Sequence, residues 1–326
     1  MKNAVISSTG RYLPLKEIKN SDLDQITEEA RILIEKKTGV LARRVAADNE
    51  CTSDLAVKAA IACLNKIDFS PEQIQGIIVS TSSPDRMQPA TATRVQHILG
   101  AKKAFAVDIN SVCSGSTFGI SIADSFIRSG KYENILFIAS EVYSRILNKT
   151  DFSTYPFFGD GAGAILFHAK NSTIRGVLHS CLETDGSKSD TVCVPGGGTM
   201  LPFEKMKNPR SAFFRMKGPD VFSFTIDKAP KIIFRLIDEA GVPIESIKCF
   251  ICHQANVNII HRIAELIGIS KDRFYINVHR YGNTASASVL IALDEAISEG
   301  FVVEGDIVAT VAFGGGLSWG ANLIRI

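Results

Sequence analysis

An internal repeat constrains this chain more than any other feature. Residues 59–84, AAIACLNKIDFSPEQIQGIIVSTSSP, and residues 231–256, KIIFRLIDEAGVPIESIKCFICHQAN, share one pattern of helix, loop, apolar strand and polar loop. The units that follow also match. VDINSVCSGSTFGISIADSFIRSG with KYENILFIAS parallels INVHRYGNTASASVLIALDEAISEG with FVVEGDIVATVA, each reading strand, polar loop, helix and strand. Short runs rich in Ile, Val and Phe read as buried strands, and longer amphipathic runs as helices. In the first copy Phe118, Ile122 and Phe126 recur at spacing four, as on a helix packed between sheets. Together these patterns predict an α/β fold built by duplication.

The divide falls near residue 170, giving an N-terminal half, 1–170, and a C-terminal half, 171–326. The strand-like run AGAILFHAKNSTIRGVLHS connects them without a low-complexity linker. Halves joined in this way share an extensive interface, and equivalent loops can converge on one pocket. A hydrophobic fraction of 45% against 21% charged residues fits a folded protein, not a disordered one. Net charge is only +2, which argues against nucleic acid as the main partner, because that binding depends on clustered cations neutralising phosphates. With no apolar run long enough to span a bilayer and no secretory leader pattern, a cytoplasmic protein without membrane partners is expected.

Seven cysteines are an odd number and make no array with histidines at metal-ligand spacing, so no metal is expected. Six read as small buried hydrophobes. Cys113 differs, since NSVCSGSTFGI places it between a strand and the first turn of a helix. There the free N–H groups and partial positive charge could draw a thiol from about 8.5 toward neutrality. His253 ends the apolar run KCFIC and begins the polar stretch HQAN, at a strand's carboxyl end where open α/β sheets place ligand sites. Asn283, in YGNTASAS before a helix, occupies roughly the second-half counterpart of the cysteine loop. Taken alone, each of these residues has a structural reading: a buried thiol, a satisfied histidine, a helix cap. The glycines of VATVAFGGGLSWGA follow a strand and let backbone N–H groups approach a ligand.

Taken together, VCSGSTFG around Cys113, GDGAGA at 159–164, HQAN at 253–256, YGNTASAS at 281–288 and AFGGGLSWG at 312–320 resemble the β-ketoacyl-acyl carrier protein synthase III family over nearly the whole chain. The resemblance implies a five-layered α-β-α-β-α thiolase fold, a homodimer, and a Cys113, His253, Asn283 catalytic set. It implies decarboxylative Claisen condensation of an acyl group on Cys113 with a malonyl or 3-oxoacyl thioester, as in initiation of fatty acid synthesis. Acyl carrier protein and acyl thioesters would be the partners, with no cofactor. By the same resemblance the N–H groups of Cys113 and Gly315 form an oxyanion hole, Gly218 and Asn256 line the pantetheine tunnel, Phe313 packs beside the cysteine, and Met87 reaches an acyl pocket across the dimer. The alternative is a specialised condensing enzyme or acyltransferase of secondary metabolism on the same fold.

The chain departs from the family pattern where coenzyme A is gripped. Leu33 stands where a stacking Trp is frequent, while Lys37, Asn258 and Phe152 stand at Arg positions. Losing an aromatic face and guanidinium forks weakens adenine and phosphate binding. The expected donor is therefore carrier-borne or a larger specialised acyl group. A flexible Met87 would admit a longer chain than a bulky aromatic.

Overall fold

Both halves of the repeat form a mixed sheet with the same strand order. The computed structural model describes residues 2–23, 26–171 and 174–326. The N-terminal half contains β1 (Lys2–Tyr12), a peripheral pair β2 (Lys16–Lys19) and β3 (Ala42–Val45), then β4 (Gly76–Ser80), β5 (Phe105–Ile109), β6 (Asn134–Glu141) and β7 (Gly161–Asn171). The C-terminal half contains β8 (Gly176–Thr184), a short pair β9 (Val192–Cys193) and β10 (Arg215–Met216), then β11 (Ile247–Cys252), β12 (Ile307–Gly314) and β13 (Ser318–Arg325). The sheets run β1-β7-β6-β4-β5 and β8-β13-β12-β11. Directions agree strand by strand: β1–β7 and β8–β13 are antiparallel, β7–β6 and β13–β12 antiparallel, β6–β4 and β12–β11 parallel.

The expected strand at the start of INVHRYGN is the exception. Its place beside β11 is held by one parallel bridge, Phe250 to Phe274, and the chain then turns into the short helix α7 (Val278–Tyr281). A side chain accounts for the difference. The Gln254 amide oxygen accepts the N–H groups of Asn277 and Val278 at 2.9 and 3.3 Å, so these donors are satisfied without a strand ladder.

The other helices are α1 (Glu28–Thr38), α2 (Thr52–Asn65), α3 (Thr91–Leu99), α4 (Gly115–Arg128), α5 (Gly218–Ala240), α6 (Val257–Ile267) and α8 (Ala287–Ser298). Helices α2 and α3 cover one face of the first sheet, α5 packs on the second sheet with α6 beside it, and α4 and α8 lie between the sheets. This is the five-layered α-β-α-β-α thiolase fold. Because α4 touches both sheets, its buried residues are mostly small ones, Gly115, Gly119 and Ala123 among them, and the Phe118, Ile122, Phe126 stripe sits half-buried at its flank. In α8 every residue from Ala287 to Ala296 is buried.

The run expected to join the halves spans β7, in the first sheet, and β8, in the second; residues 172 and 173 within it lie outside the described residues. No helix among the described residues is long and apolar enough to cross a membrane.

Candidate active site

The two central helices are entered through the same backbone turn. Before α4, the Asn110 side-chain oxygen accepts the Val112 N–H at 3.2 Å; before α8, the Asn283 oxygen accepts the Ala285 N–H at 2.8 Å. Val112 and Ala285 both have φ of 46°, in the left-handed region. The structural counterpart of Asn283 is therefore Asn110, and that of Cys113 is Ser286. The entrances meet: a Cβ added to Gly115 would lie 3.4 Å from Cβ of Ser286.

Cys113 sits in the turn Val112–Ser114 and is 7% exposed. A Cβ on Gly314 would come within 2.7 Å of the Cys113 amide nitrogen and 2.8 Å of that of Ser114, so only glycine lets β12 end against this turn. Gly315 is buried against Val112 and Val192. The helix entrance does not bring the thiol toward neutrality as expected. Burial pushes the Cys113 thiol well up, and the Glu141 carboxylate adds to the shift.

Glu141, at the end of β6, is wholly buried and accepts the backbone N–H groups of Ser82 and Ser83 and the hydroxyls of Ser83 and Ser286, the last two at 2.6 Å. It thereby ties the loop after β4 to the entrance of α8. Burial raises its pKa, while the Ser286 and Ser83 hydroxyls pull it back.

His253 follows β11, and its own N–H is anchored on the Val311 carbonyl at 2.7 Å. Its ring meets Phe313 edge-on with centroids 5.5 Å apart, and Nδ1 lies 2.7 Å from Oγ of Ser288. The residue is 2% exposed, and burial lowers its pKa to about 3, so the imidazole is neutral. Asn283 is 6% exposed; its N–H donates to the Phe157 carbonyl at 2.7 Å and its carbonyl accepts the Gly159 N–H at 3.0 Å. Gly159 opens the GDGAGA segment, so this motif supports the asparagine. Each side chain is held through one atom. Among the described residues, His253 Nε2 and Asn283 Nδ2 have no protein partner.

Cys113, Phe313 and Ala285 share one buried cluster with the aromatic block of Tyr143, Phe158 and Phe214. Tyr143 and Phe158 stack at 5.0 Å, and Phe214 packs edge-on against both. Gly218 opens α5, Asn256 caps α6 by accepting the Asn258 N–H at 2.8 Å, and Met87 is 73% exposed in the loop after β4. At the nucleotide positions, Leu33 and Phe152 are exposed, and the Asn258 amide donates to the Lys36 and Lys37 carbonyls at 3.1 and 2.8 Å, closing the end of α1.

Sequence reasoning missed Glu141, Ser286 and Ser288, polar residues whose signal was their place in otherwise buried segments. It also expected no metal-type cluster, whereas His179, Cys181 and Glu239 bring ligand atoms within 4.8 Å of one another. Arg235 occupies the other Glu239 carboxylate oxygen at 2.7 Å, so as it stands this is an ion-pair network on the outer side of the second sheet.

The paired sheets, with a cysteine at one helix entrance and a neutral histidine and an asparagine amide beside the other, have the form of a thiolase-fold acyltransferase. Residues 107–186 match the family described as 3-oxoacyl-[acyl-carrier-protein (ACP)] synthase III, and residues 237–326 its C-terminal part. The β-ketoacyl-[acyl-carrier-protein] synthase III of Clostridium acetobutylicum is 37% identical over 325 residues, covering 100% of this chain and 99% of the relative. That of Caldanaerobacter subterraneus is 39% identical, covering 99% and 97%. The crystal structure of the 3-oxoacyl-[acyl-carrier-protein] synthase III of Aquifex aeolicus superposes with a TM-score of 0.91 at 36% identity, covering 99% of this chain and 100% of that one. The chain belongs to the 3-oxoacyl-[acyl-carrier-protein] synthase III family and is a condensing acyltransferase.

Proposed function

We propose that the protein catalyses the initiating condensation of fatty acid synthesis, with Cys113 as nucleophile and His253 and Asn283 as donors to the extender. In the first half-reaction the Cys113 sulfur bonds to the acyl carbon of a donor thioester, the donor's C–S bond breaks, and the thiol proton leaves with the released thiol. The amides of Cys113 and Gly315 stabilise the tetrahedral oxyanion. In the second, the malonyl carboxylate departs as carbon dioxide, and its bonding electrons form an enolate whose oxygen accepts from His253 Nε2 and Asn283 Nδ2. The enolate carbon then attacks the acyl group on Cys113 and the C–S bond breaks, giving a 3-oxoacyl thioester and a Cys113 thiolate that takes up a proton from solvent.

The observation that carries this reading is the pair His253 Nε2 and Asn283 Nδ2, neutral and unengaged among the described residues, beside the cysteine entrance. Decarboxylation needs charge stabilisation at the enolate oxygen and no strong base. Acyl carrier protein is the proposed carrier of the extender, and no cofactor is required. The engaged Asn258 and exposed Leu33 support a donor that owes little to the coenzyme A nucleotide. We place the working enzyme in the cytoplasm as a homodimer in which Met87 serves the partner's acyl pocket, and we assign residues 1–170 and 171–326 to the two halves. Gly218, Asn256 and Phe313 complete the proposed substrate path. Full-length identity of 37–39% with the relatives above favours this function over a specialised condensing enzyme.

Incubation with a panel of acyl-CoA and acyl carrier thioesters, followed by intact-mass analysis, tests the reading. One acyl group should add to the wild type and none to Cys113→Ala, and carbon dioxide should be released when malonyl carrier protein follows. An adduct without carbon dioxide release would establish simple acyl transfer instead.

A further inference from the structure

Ser288 is the second residue of α8, buried beside His253, and its hydroxyl has two neighbours. It accepts the Gln254 N–H at 3.2 Å and lies 2.7 Å from Nδ1 of His253. A backbone N–H can only donate, so that contact uses a lone pair of Oγ and leaves the hydroxyl proton to be placed. If Nδ1 carried the ring proton, Ser288 would accept twice and its own proton would point into the protein without an acceptor, since the described residues offer it no other. Buried donors are rarely left in that state. If the hydroxyl donates to Nδ1, both contacts of Ser288 are satisfied and the ring proton resides on Nε2, the atom left for a ligand.

We infer that Ser288 is a positioning residue that fixes His253 as its Nε2–H tautomer and so aims that proton into the site. The inference rests on the reading of His253 as a hydrogen-bond donor. It goes beyond that reading by assigning the group that makes the ring a donor. Gln254 shares in the arrangement. Its side-chain amide is held by the Cys252 and Tyr275 carbonyls at 2.8 and 3.1 Å, which steadies the backbone N–H that orients the serine. The entrance of α8 thus orients both donors: the Ala285 amide holds Asn283 by its oxygen, and Ser288 holds His253 by Nδ1.

The test is the long-range 1H–15N spectrum of protein labelled in histidine nitrogen, with His253 assigned by comparison with His253→Ala. Wild-type His253 should show a protonated Nε2 and a bare Nδ1 at neutral pH. Ser288→Ala should change that pattern to mixed or inverted protonation and slow condensation by about tenfold or more, the scale of one oriented hydrogen bond. Acylation of Cys113 in the same variant should keep its wild-type rate, which separates a lost tautomer from a lost fold, and Ser288→Thr should restore the Nε2–H pattern. A wild-type ring protonated on Nδ1, or an unchanged pattern in Ser288→Ala, would overturn the inference. Should Ser288→Ala fail to fold, the wild-type and Ser288→Thr spectra decide alone, an Nδ1–H ring in either counting against it. A wild-type protein that is acylated but never condenses would sink the functional reading and leave the tautomer result standing.

Discussion

At the entrance to α4 an asparagine side chain accepts the N–H two residues on, a residue at positive φ follows, and the next side chain is Cys113; at the entrance to α8 the same turn presents Ser286. What differs is what lies around each copy. Asn110 is exposed while Asn283 is buried, and the thiol of Cys113 is bonded to no other side chain among the described residues while the serine is committed to Glu141. The duplication supplied two identical backbone devices, and side-chain surroundings divided the labour. One entrance presents the cysteine; the other holds the Asn283 side chain and, through Glu141, ties the loop after β4 to α8.

Exchanging the nucleophile between entrances is the severest test of that division. Cys113→Ala should lose the acyl adduct and slow condensation by roughly 10^4-fold or more, as removal of a covalent nucleophile does. Adding Ser286→Cys to it should restore neither, because position 286 is fully buried against Glu141. An acyl adduct at position 286 of the double variant, seen by intact mass, would mean the entrances are interchangeable.

The asparagines give the next largest contrast. Asn283→Ala should slow condensation by about 10^2- to 10^3-fold, the usual cost of one donor to a developing oxyanion, while Cys113 is still acylated. Asn110→Ala makes the same cut in the same turn but should cost only about 1 kcal/mol of stability, read by urea unfolding. Equal kinetic losses would show that Asn283 acts only through the turn.

This contrast also marks how far the sequence could be read. The repeat and the alternation of apolar runs revealed both sheets, and the motifs singled out Cys113, His253 and Asn283, which lie at a strand end and at two helix entrances, places that leave signatures in polarity. The two loops could be matched only in outline, since pairing Asn110 with Asn283 residue by residue needs the hydrogen bonds to Val112 and Ala285. The missing strand before α7 depends on the Gln254 side chain, which no periodicity encodes. Ser288 and Glu141 went unnoticed because serine in a helix and glutamate at a strand end are common, and only three-dimensional burial makes them informative.

Acidity separates the entrances next. With its thiol raised above the ordinary value by burial, Cys113 has a thiolate fraction that grows about tenfold per pH unit below its pKa, so acylation should accelerate steadily from pH 6 to 9. His253, at about 3, stays neutral throughout and adds no acid limb above about pH 4. Rapid-quench mass analysis measures both. A plateau near neutrality would mean the helix terminus outweighs burial after all. Ser286→Ala should cost about 1.5–3 kcal/mol in urea unfolding, the worth of a hydrogen bond to a charged group, because it strips the buried Glu141 of a donor.

The smallest effect concerns the strained residue within each turn. Ala287→Gly, at the first residue of α8, should cost about 1 kcal/mol, chiefly from a lost buried methyl. Ala285→Gly loses a similar methyl, since both alanines are fully buried. At φ of 46°, however, it also removes a steric penalty of about 1–2 kcal/mol that an L side chain meets in the left-handed region. Relief and loss nearly cancel, so the stability of Ala285→Gly should stay within about 0.5 kcal/mol of the wild type. Urea unfolding of the two variants side by side isolates the strain. If Ala285→Gly destabilises as much as Ala287→Gly, the positive φ carries no cost, and the turn shared by the two entrances is simply a comfortable conformation that the duplication preserved.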